Sequence, residues 1–373
     1  MKASLPIDLK IMLVFSVLMG LHIPLLSLSQ SLPKEIITTQ PNSWRSATVF
    51  TYAIWQDLLF YGGGSGDSGG DPRHEIEIGV FHLIAPDYGY NHPNNPVVTR
   101  AQFGLDKPGQ GIAPLSIFDR GDSLFMFCTS RPNDDLNPRI ILISASVNDP
   151  YTWDNYRVIV DEAFSGKENN HGASALVNPD RLDSLLLYFA ALSGKEDYRI
   201  LLAEVPIADI SDPAAYILLN DYDNAVLQKT GAKTNYPYVR YDQERQEYEL
   251  WYSGHTGYNA KTRSCFRTVS AHNDSFLPAR QAVINPSGKS NRNDSAYATG
   301  PKVYQDHLYY SGRKEKNGTY RGIFYRYWKN RTSIIAKVSS EAVPDFKDIA
   351  KPTFEADLIR IDSTIRAKSN KTL

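Results

Sequence analysis

The sequence predicts an all-β chain folded as a five-bladed β-propeller with four antiparallel strands per blade. Three observations predict it. A short strand pattern recurs five times at near-constant spacing, and each copy is flanked by further short apolar strands. The chain also carries 23 Tyr, 15 Phe and 5 Trp, large side chains of the kind that fill the space between packed sheets.

The recurring pattern is a turn residue, an apolar-aromatic strand, then small residues. It occurs as Asp57–Gly64, Asp122–Arg131, Asp183–Gly194, Tyr248–Gly257 and Asp306–Arg313. With Tyr61, Phe127, Phe189, Tyr252 and Tyr310 as equivalents, successive intervals are 66, 62, 63 and 58 residues. A fixed period of this length marks a repeat architecture.

A first strand precedes each copy, at Ser46–Tyr52, Ala113–Asp119, Ala173–Pro179, Tyr236–Asp242 and Gly300–Asp306. A third follows, at Glu75–Ile84, Arg139–Val147, Tyr198–Pro206, Arg263–Ala271 and Tyr320–Trp328. A weaker fourth is legible at Asn95–Ala101, Tyr156–Glu162 and Gln281–Pro286. Four short strands per repeat, joined by turn-rich segments, form the blade of a propeller. A sandwich of two sheets has no reason to repeat at this period. The Gly/Ser-rich tract Gly62–Asp71 falls between two strands of the first repeat and reads as a loop. Either Glu35–Thr39 or Thr353–Ile361 is placed to complete the terminal blade.

The chain ends frame one domain. Residues 1–29 read as a signal peptide: Lys2 and Lys10 precede an apolar run to Leu28, and Ser27-Leu28-Ser29 is a small-x-small cleavage pattern. Residues 30–362 are then the propeller, and 363–373 a polar tail that frays. The expected location is secreted or periplasmic, with no membrane attachment after signal removal. Lys+Arg 40 against Asp+Glu 41 leaves a net charge of −1, far from the basic footprint that nucleic acid requires. No metal-ligand spacing, phosphate loop or dinucleotide glycine pattern stands in a fitting context, so neither metal nor cofactor is expected.

The repeats resemble the five-bladed glycosidase propellers of the arabinanase/β-xylosidase and invertase/levansucrase families. The carriers are WYSG (Trp251–Gly254), YYSGR (Tyr309–Arg313), NNPVV (Asn94–Val98) and SVNDPYTW (Ser146–Trp153). The resemblance implies a carbohydrate partner and a pair of carboxylates at the channel mouth, one activating water and one donating a proton. Each family acid stands three or four residues before the Val or Ile anchor of a first strand. Here the anchors are Val49, Ile117, Val177, Val239 and Val303, and no acid stands at those offsets. The family's catalytic residues therefore do not carry over.

The candidates are instead loop residues at the same end. Glu168 and His171 lead into the third repeat and Asp294 into the fifth, as the acid–base set of a glycoside hydrolase. Trp44, Arg45, Arg131, Tyr236, His255, Tyr297 and Arg313 are candidates to bind the sugar. Asp134 and Asp135 stand in a Pro/Asn-rich turn, where Asp commonly caps backbone amides. Two further readings stay open: a glycan-binding propeller without catalysis, and a polysaccharide lyase with a His or Tyr base and an Arg neutralising a uronate.

Cys128 and Cys265 fall in different strands of non-adjacent repeats, too far apart for the short reach of a disulfide. Alkylation of the denatured protein without reductant should add two labels, read by mass; fewer than two contradicts the strand assignment.

Overall fold

The computed structural model describes residues 34–38, 48–64, 76–85, 88–107, 109–131, 137–193, 197–227, 234–255, 263–285, 297–313 and 322–327. Among them the fold is all-β, with one short α-helix, α1 (Glu162–Ser165). The N-terminal strand is β1 (Lys34–Thr38). Three four-stranded antiparallel sheets follow in chain order. The first holds β2 (Thr48–Trp55), β3 (Leu58–Gly64), β4 (Glu77–Ala85) and β5 (Tyr88–Asn91). The second holds β6 (Gly111–Arg120), β7 (Ser123–Arg131), β8 (Arg139–Ser146) and β9 (Asp149–Val160). The third holds β10 (Asn169–Asn178), β11 (Arg181–Ser193), β12 (Asp197–Pro206) and β13 (Ile217–Asn220).

The remaining strands form two such groups. One is β14 (Asn235–Asp242), β15 (Glu247–His255), β16 (Arg263–Ser270) and β17 (Ala282–Ile284). The other is β18 (Tyr297–Tyr304), β19 (His307–Arg313) and β20 (Gly322–Tyr327). A single parallel bridge between Arg263 and Tyr297 joins the two groups into one sheet. Strand β1 pairs antiparallel with β20, so an N-terminal strand supplies the outer partner of the last group. That is the Glu35–Thr39 candidate; Thr353–Ile361 lies outside the described residues.

The first strands pack in a closed succession: β2 on β6, β6 on β10, β10 on β14, β14 on β18, and β18 on β2. Apolar layers separate the sheets. Phe60, Val80, Met126 and Ile143 fill one, Phe127, Leu142, Leu187 and Leu201 the next, and Tyr188, Leu202, Leu250 and Phe266 the third. Tyr309 and Ile323 of the last group pack against Tyr52, Leu59 and Tyr61 of the first sheet. The equivalent residues Tyr61, Phe127, Phe189, Tyr252 and Tyr310 are all fully buried. This is a propeller arrangement, with apolar side chains on both faces of each sheet taken out of water by its neighbours.

Hydroxyls stitch first strands to their neighbours. Ser116 Oγ accepts the amide of Ala175 at 3.0 Å, and Ser174 Oγ accepts that of Val239 at 2.9 Å. Ser253 Oγ accepts the amide of Gly300 at 2.8 Å, and the Tyr52 hydroxyl donates to the Gly300 carbonyl at 2.7 Å. These bonds satisfy backbone groups that a short inner strand leaves outside its own ladder.

Each first strand also shifts register against its second strand near its leading end: at Val49/Tyr52, Pro114/Ser116, His171/Ala173, Asn235/Tyr238 and Thr299/Lys302. These are β-bulges, which leave residues unpaired and bend the strand. Pro237 and Pro301 lie inside two of them, where a missing N–H costs no ladder bond. Gly172, Tyr236 and Gly300 occupy the left-handed region there, at φ +64°, +51° and +62°.

The fourth strand of the first sheet differs from expectation. The segment Asn95–Ala101 makes only an isolated bridge, Val98 to Ile78, and β5 at Tyr88–Asn91 is the paired strand. Pro96 has no N–H to offer a ladder. The Asn95 amide instead acts as a strand surrogate, accepting from Val80 N at 2.8 Å and donating to Val80 O at 2.9 Å.

Both cysteines are free and buried, and burial pushes both thiols up. A buried ion triad braces the β14–β17 group. Glu249, 1% exposed, accepts from Arg240 Nε at 2.6 Å, from Arg267, and from the Trp251 indole at 3.3 Å. Burial alone would push its carboxyl up, but the hydrogen bonds and charges of the two arginines hold it below the ordinary value. Glu249→Gln should destabilise the fold by about 3 kcal/mol, the lower end for breaking a buried pair because both guanidiniums keep some water. The free energy of urea unfolding checks this, and a loss below about 1 kcal/mol contradicts a structural role for the triad.

Candidate functional site

The bulges turn the leading residues of β6, β10 and β14 toward one end of the ring of first strands. There they surround a cavity of about 160 Å³. Its wall combines those strands with the end of β7 and the starts of β12 and β16. A third strand runs parallel to the first strand of its own sheet, so both begin at this end.

His171 is central. Its ring stands edge-on to Tyr198 at 4.7 Å and tilted to Tyr236 at 5.4 Å, and both tyrosines line the cavity. Burial, then the nearby positive charges of Arg131 and Arg263, push its imidazole down from 6.5 to about 3. The ring is therefore neutral near neutral pH and offers one donor and one acceptor nitrogen. Gly172 makes this placement workable. A Cβ there would lie 2.8 Å from both N and Cα of Tyr236, so only glycine lets β10 approach β14 this closely.

Four buried polar atoms in the wall have no hydrogen-bond partner among the described residues: Thr129 Oγ1, His171 Nδ1, Asn235 Oδ1 and Arg263 Nε. An unpartnered buried polar atom costs about 1–3 kcal/mol. Four such atoms border this one cavity. Among the described lining residues there is no Asp or Glu.

One or two residues further along the first strands lies a second, much smaller cavity, bordered by Tyr52, Leu115, Gly172, Tyr236 and Lys302. Leu115 is the unpaired residue of the β6 bulge, and its carbonyl accepts from Lys302 Nζ at 2.6 Å. The ammonium also lies over the rings of Tyr52 and Tyr238, at 5.7 and 5.5 Å. Burial pushes it down to about 7.

Of the residues expected from sequence, His171, Arg131 and Tyr236 meet in the main cavity. Tyr297 is buried next to it, with the Arg263 guanidinium 5.7 Å from its ring. His255 pairs with Arg263 along the ladder, and Arg313 with Tyr297, which brings both backbones to the same end. Glu168 is exposed and does not line the cavity, although its neighbour Asn169 does. Asp294, Trp44, Arg45, Asp134 and Asp135 lie outside the described residues.

Sequence reasoning missed Tyr198, Asn235, Arg263 and Lys302. The first three had a signal. Arg263 begins a third strand, Tyr198 is the second residue of another, and Asn235 begins a first strand, at the end where first strands enter.

No protein-family model and no curated protein matches the chain. Solved structures do match it across most of its length. A glycoside hydrolase superposes with a TM-score of 0.61 at 12% identity, covering 89% of this chain and 98% of its own. The fold is that of the glycoside hydrolase propellers. A glycosyl hydrolase from Bacteroides ovatus gives a TM-score of 0.54 at 12% identity, covering 80% of this chain and 94% of its own. An N-acetylgalactosamine deacetylase from F. plautii, in complex with blood group B trisaccharide, gives 0.59 at 9% identity, with coverage of 80% and 94%. At these identities the likeness is one of fold.

The imidazole sits near 6.5 in an unfolded chain and near 3 in the fold, so between these values protons bind the unfolded state preferentially. Stability from a neutral, buried His171 is full above about pH 6.5 and is lost as pH falls toward about 3. The stability of wild type relative to His171→Gln should therefore drop by about 2 kcal/mol between about pH 7 and about pH 4.5. Urea unfolding at the two pH values measures it, and a difference that does not change with pH excludes the buried neutral ring.

Proposed function

We propose that this chain is a carbohydrate-active protein, exported by its N-terminal signal and folded as a five-bladed propeller, that handles a glycan in the cavity around His171. The observation that carries the reading is the convergence of four unpartnered polar atoms with the rings of Tyr198 and Tyr236 in one cavity. A sugar presents hydroxyls that donate and accept, together with apolar C–H faces that lie against aromatic rings. The closed succession of five first strands supports the blade count. The shared fold with glycan-acting enzymes supports the substrate class.

The reaction put forward is glycosidic hydrolysis, with His171 and the loop carboxylates Glu168 and Asp294 as its acid–base set. Arg131, Tyr236, Tyr297, His255 and Arg313, with Trp44 and Arg45, frame the sugar. A second reading is favoured by one observation: His171 is neutral, and two tyrosines and two guanidiniums stand around it. That set suits β-elimination of a uronate. A base takes the C5 proton, a C4–C5 double bond forms as the C4–O bond breaks, and the leaving oxygen gains a proton.

The test is a screen of the purified protein on neutral and uronate-containing oligosaccharides. Reducing ends and ultraviolet absorbance are followed together, since only elimination yields a double bond conjugated to a carboxylate. Turnover should fall ~100-fold or more in His171→Ala and in Glu168→Gln if hydrolysis uses them. His171→Gln serves as the second variant if Ala fails to fold. Turnover surviving both substitutions excludes the site assignment and leaves the enzyme class standing. Saturable binding with no turnover on any oligosaccharide identifies a glycan-binding propeller.

A further inference from the structure

We propose that the His171 cavity receives the negatively charged substituent of an acidic glycan, with the Arg263 guanidinium as its principal partner. The inference rests on the carbohydrate reading above and names its substrate class.

The balance of charge is the first support. Arg131, at the end of β7, and Arg263, at the start of β16, both line the cavity, and no described lining residue is acidic. Both guanidiniums act on His171 with the same sign. Lys302, whose charge burial opposes, lies in the adjoining small cavity, held by one carbonyl and two aromatic rings. Gathering like charges in a low-dielectric space is costly unless a countercharge joins them.

The second support is geometric and belongs to Arg263 alone. Its Nε is buried and has no hydrogen-bond partner among the described residues, while its guanidinium carbon lies 5.7 Å from the centroid of the Tyr297 ring. That distance is within cation–π reach and holds the guanidinium beside the cavity. A fork with an unmatched Nε–H suits an acceptor with two oxygens side by side, and a carboxylate or sulfate provides that geometry.

The third support is what else faces the same space. His171 Nδ1, Thr129 Oγ1 and Asn235 Oδ1 are buried without hydrogen-bond partners among the described residues. They are complements for ring hydroxyls next to the charged group, and they separate a sugar from a bare inorganic anion.

The test is isothermal titration of the full chain with trigalacturonate, a glucuronate-bearing xylan oligosaccharide, a sulfated galactose disaccharide, arabinotriose and inorganic sulfate. Uronate oligosaccharides should bind at least ~10-fold more tightly than arabinotriose, and Arg263→Met should erase that preference by losing roughly 10-fold to 100-fold for the acidic ligands alone. A preference confined to the sulfated disaccharide upholds the anionic site and assigns it to sulfate esters. Equal affinity for acidic and neutral sugars, or a preference that survives Arg263→Met with the fold intact by circular dichroism, overturns the proposal. Neutral binding alone overturns it while leaving the carbohydrate reading in place. Sulfate binding as well as any sugar overturns the glycan specificity, and affinity for none of the ligands overturns both readings. If Arg263→Met fails to fold, Arg263→Lys keeps the charge, loses the fork and should still cut the acidic preference.

Discussion

The site depends on how closely β10 can approach β14. Gly172 and Tyr236 meet backbone to backbone in the left-handed region, with space for a hydrogen and not for a methyl group. The bulge at His171/Ala173 leaves Gly172 out of the ladder and turns the preceding residue toward the mouth. Without that turn a strand would alternate its side chains regularly, and the residues at its leading end would point into the neighbouring layers. Beside the corresponding bulges of β10 and β14, Asn169, His171, Asn235 and Tyr236 reach the cavity wall, while the later course of these strands stays in the apolar layers.

The same device accounts for the polar groups along the axis. A bulged residue leaves carbonyls and amides unpaired, and these find partners in neighbouring strands: Leu115 O with Lys302, Gly300 N with Ser253, Gly300 O with Tyr52. Lys302 is thereby held where burial opposes its charge. Arg131 and Arg263 oppose protonation of His171 in turn. The electrostatics of the mouth follow from the backbone geometry that brings these groups together, and only then from the identity of each residue.

Fold sharing at 9–12% identity is consistent with that division. What a propeller needs from its sequence is apolar strands at a regular period with turn residues between them, and many sequences meet that demand. Catalytic chemistry is decided by a few residues at the strand entrances. There this chain has Asn235 and Tyr236 at the offsets where the resembled families keep acids, and His171 six residues before its anchor Val177.

The strand pattern was legible in the sequence because burial on both faces leaves a local mark: apolar runs such as Leu185–Ala191, bounded by turns and recurring at a set interval. The bulges were partly legible through Pro237 and Pro301, residues a continuous ladder excludes. The fourth strand of the first sheet misled, since Asn95 satisfies Val80 through a side-chain amide and no strand periodicity records that bond. Of the site, His171, Tyr236 and Arg131 were legible because they stand beside the strands that define the repeat. Arg263 and Tyr198 left only the faint mark of standing at strand starts and Lys302 left none, because what unites them is a common axis. They lie in separate strands far apart along the chain, and only the closing of the ring brings them together. The sequence by itself determined which segments are strands and how they repeat; the tertiary structure alone decided which side chains share the mouth, through the bulges and the packing of one sheet on the next.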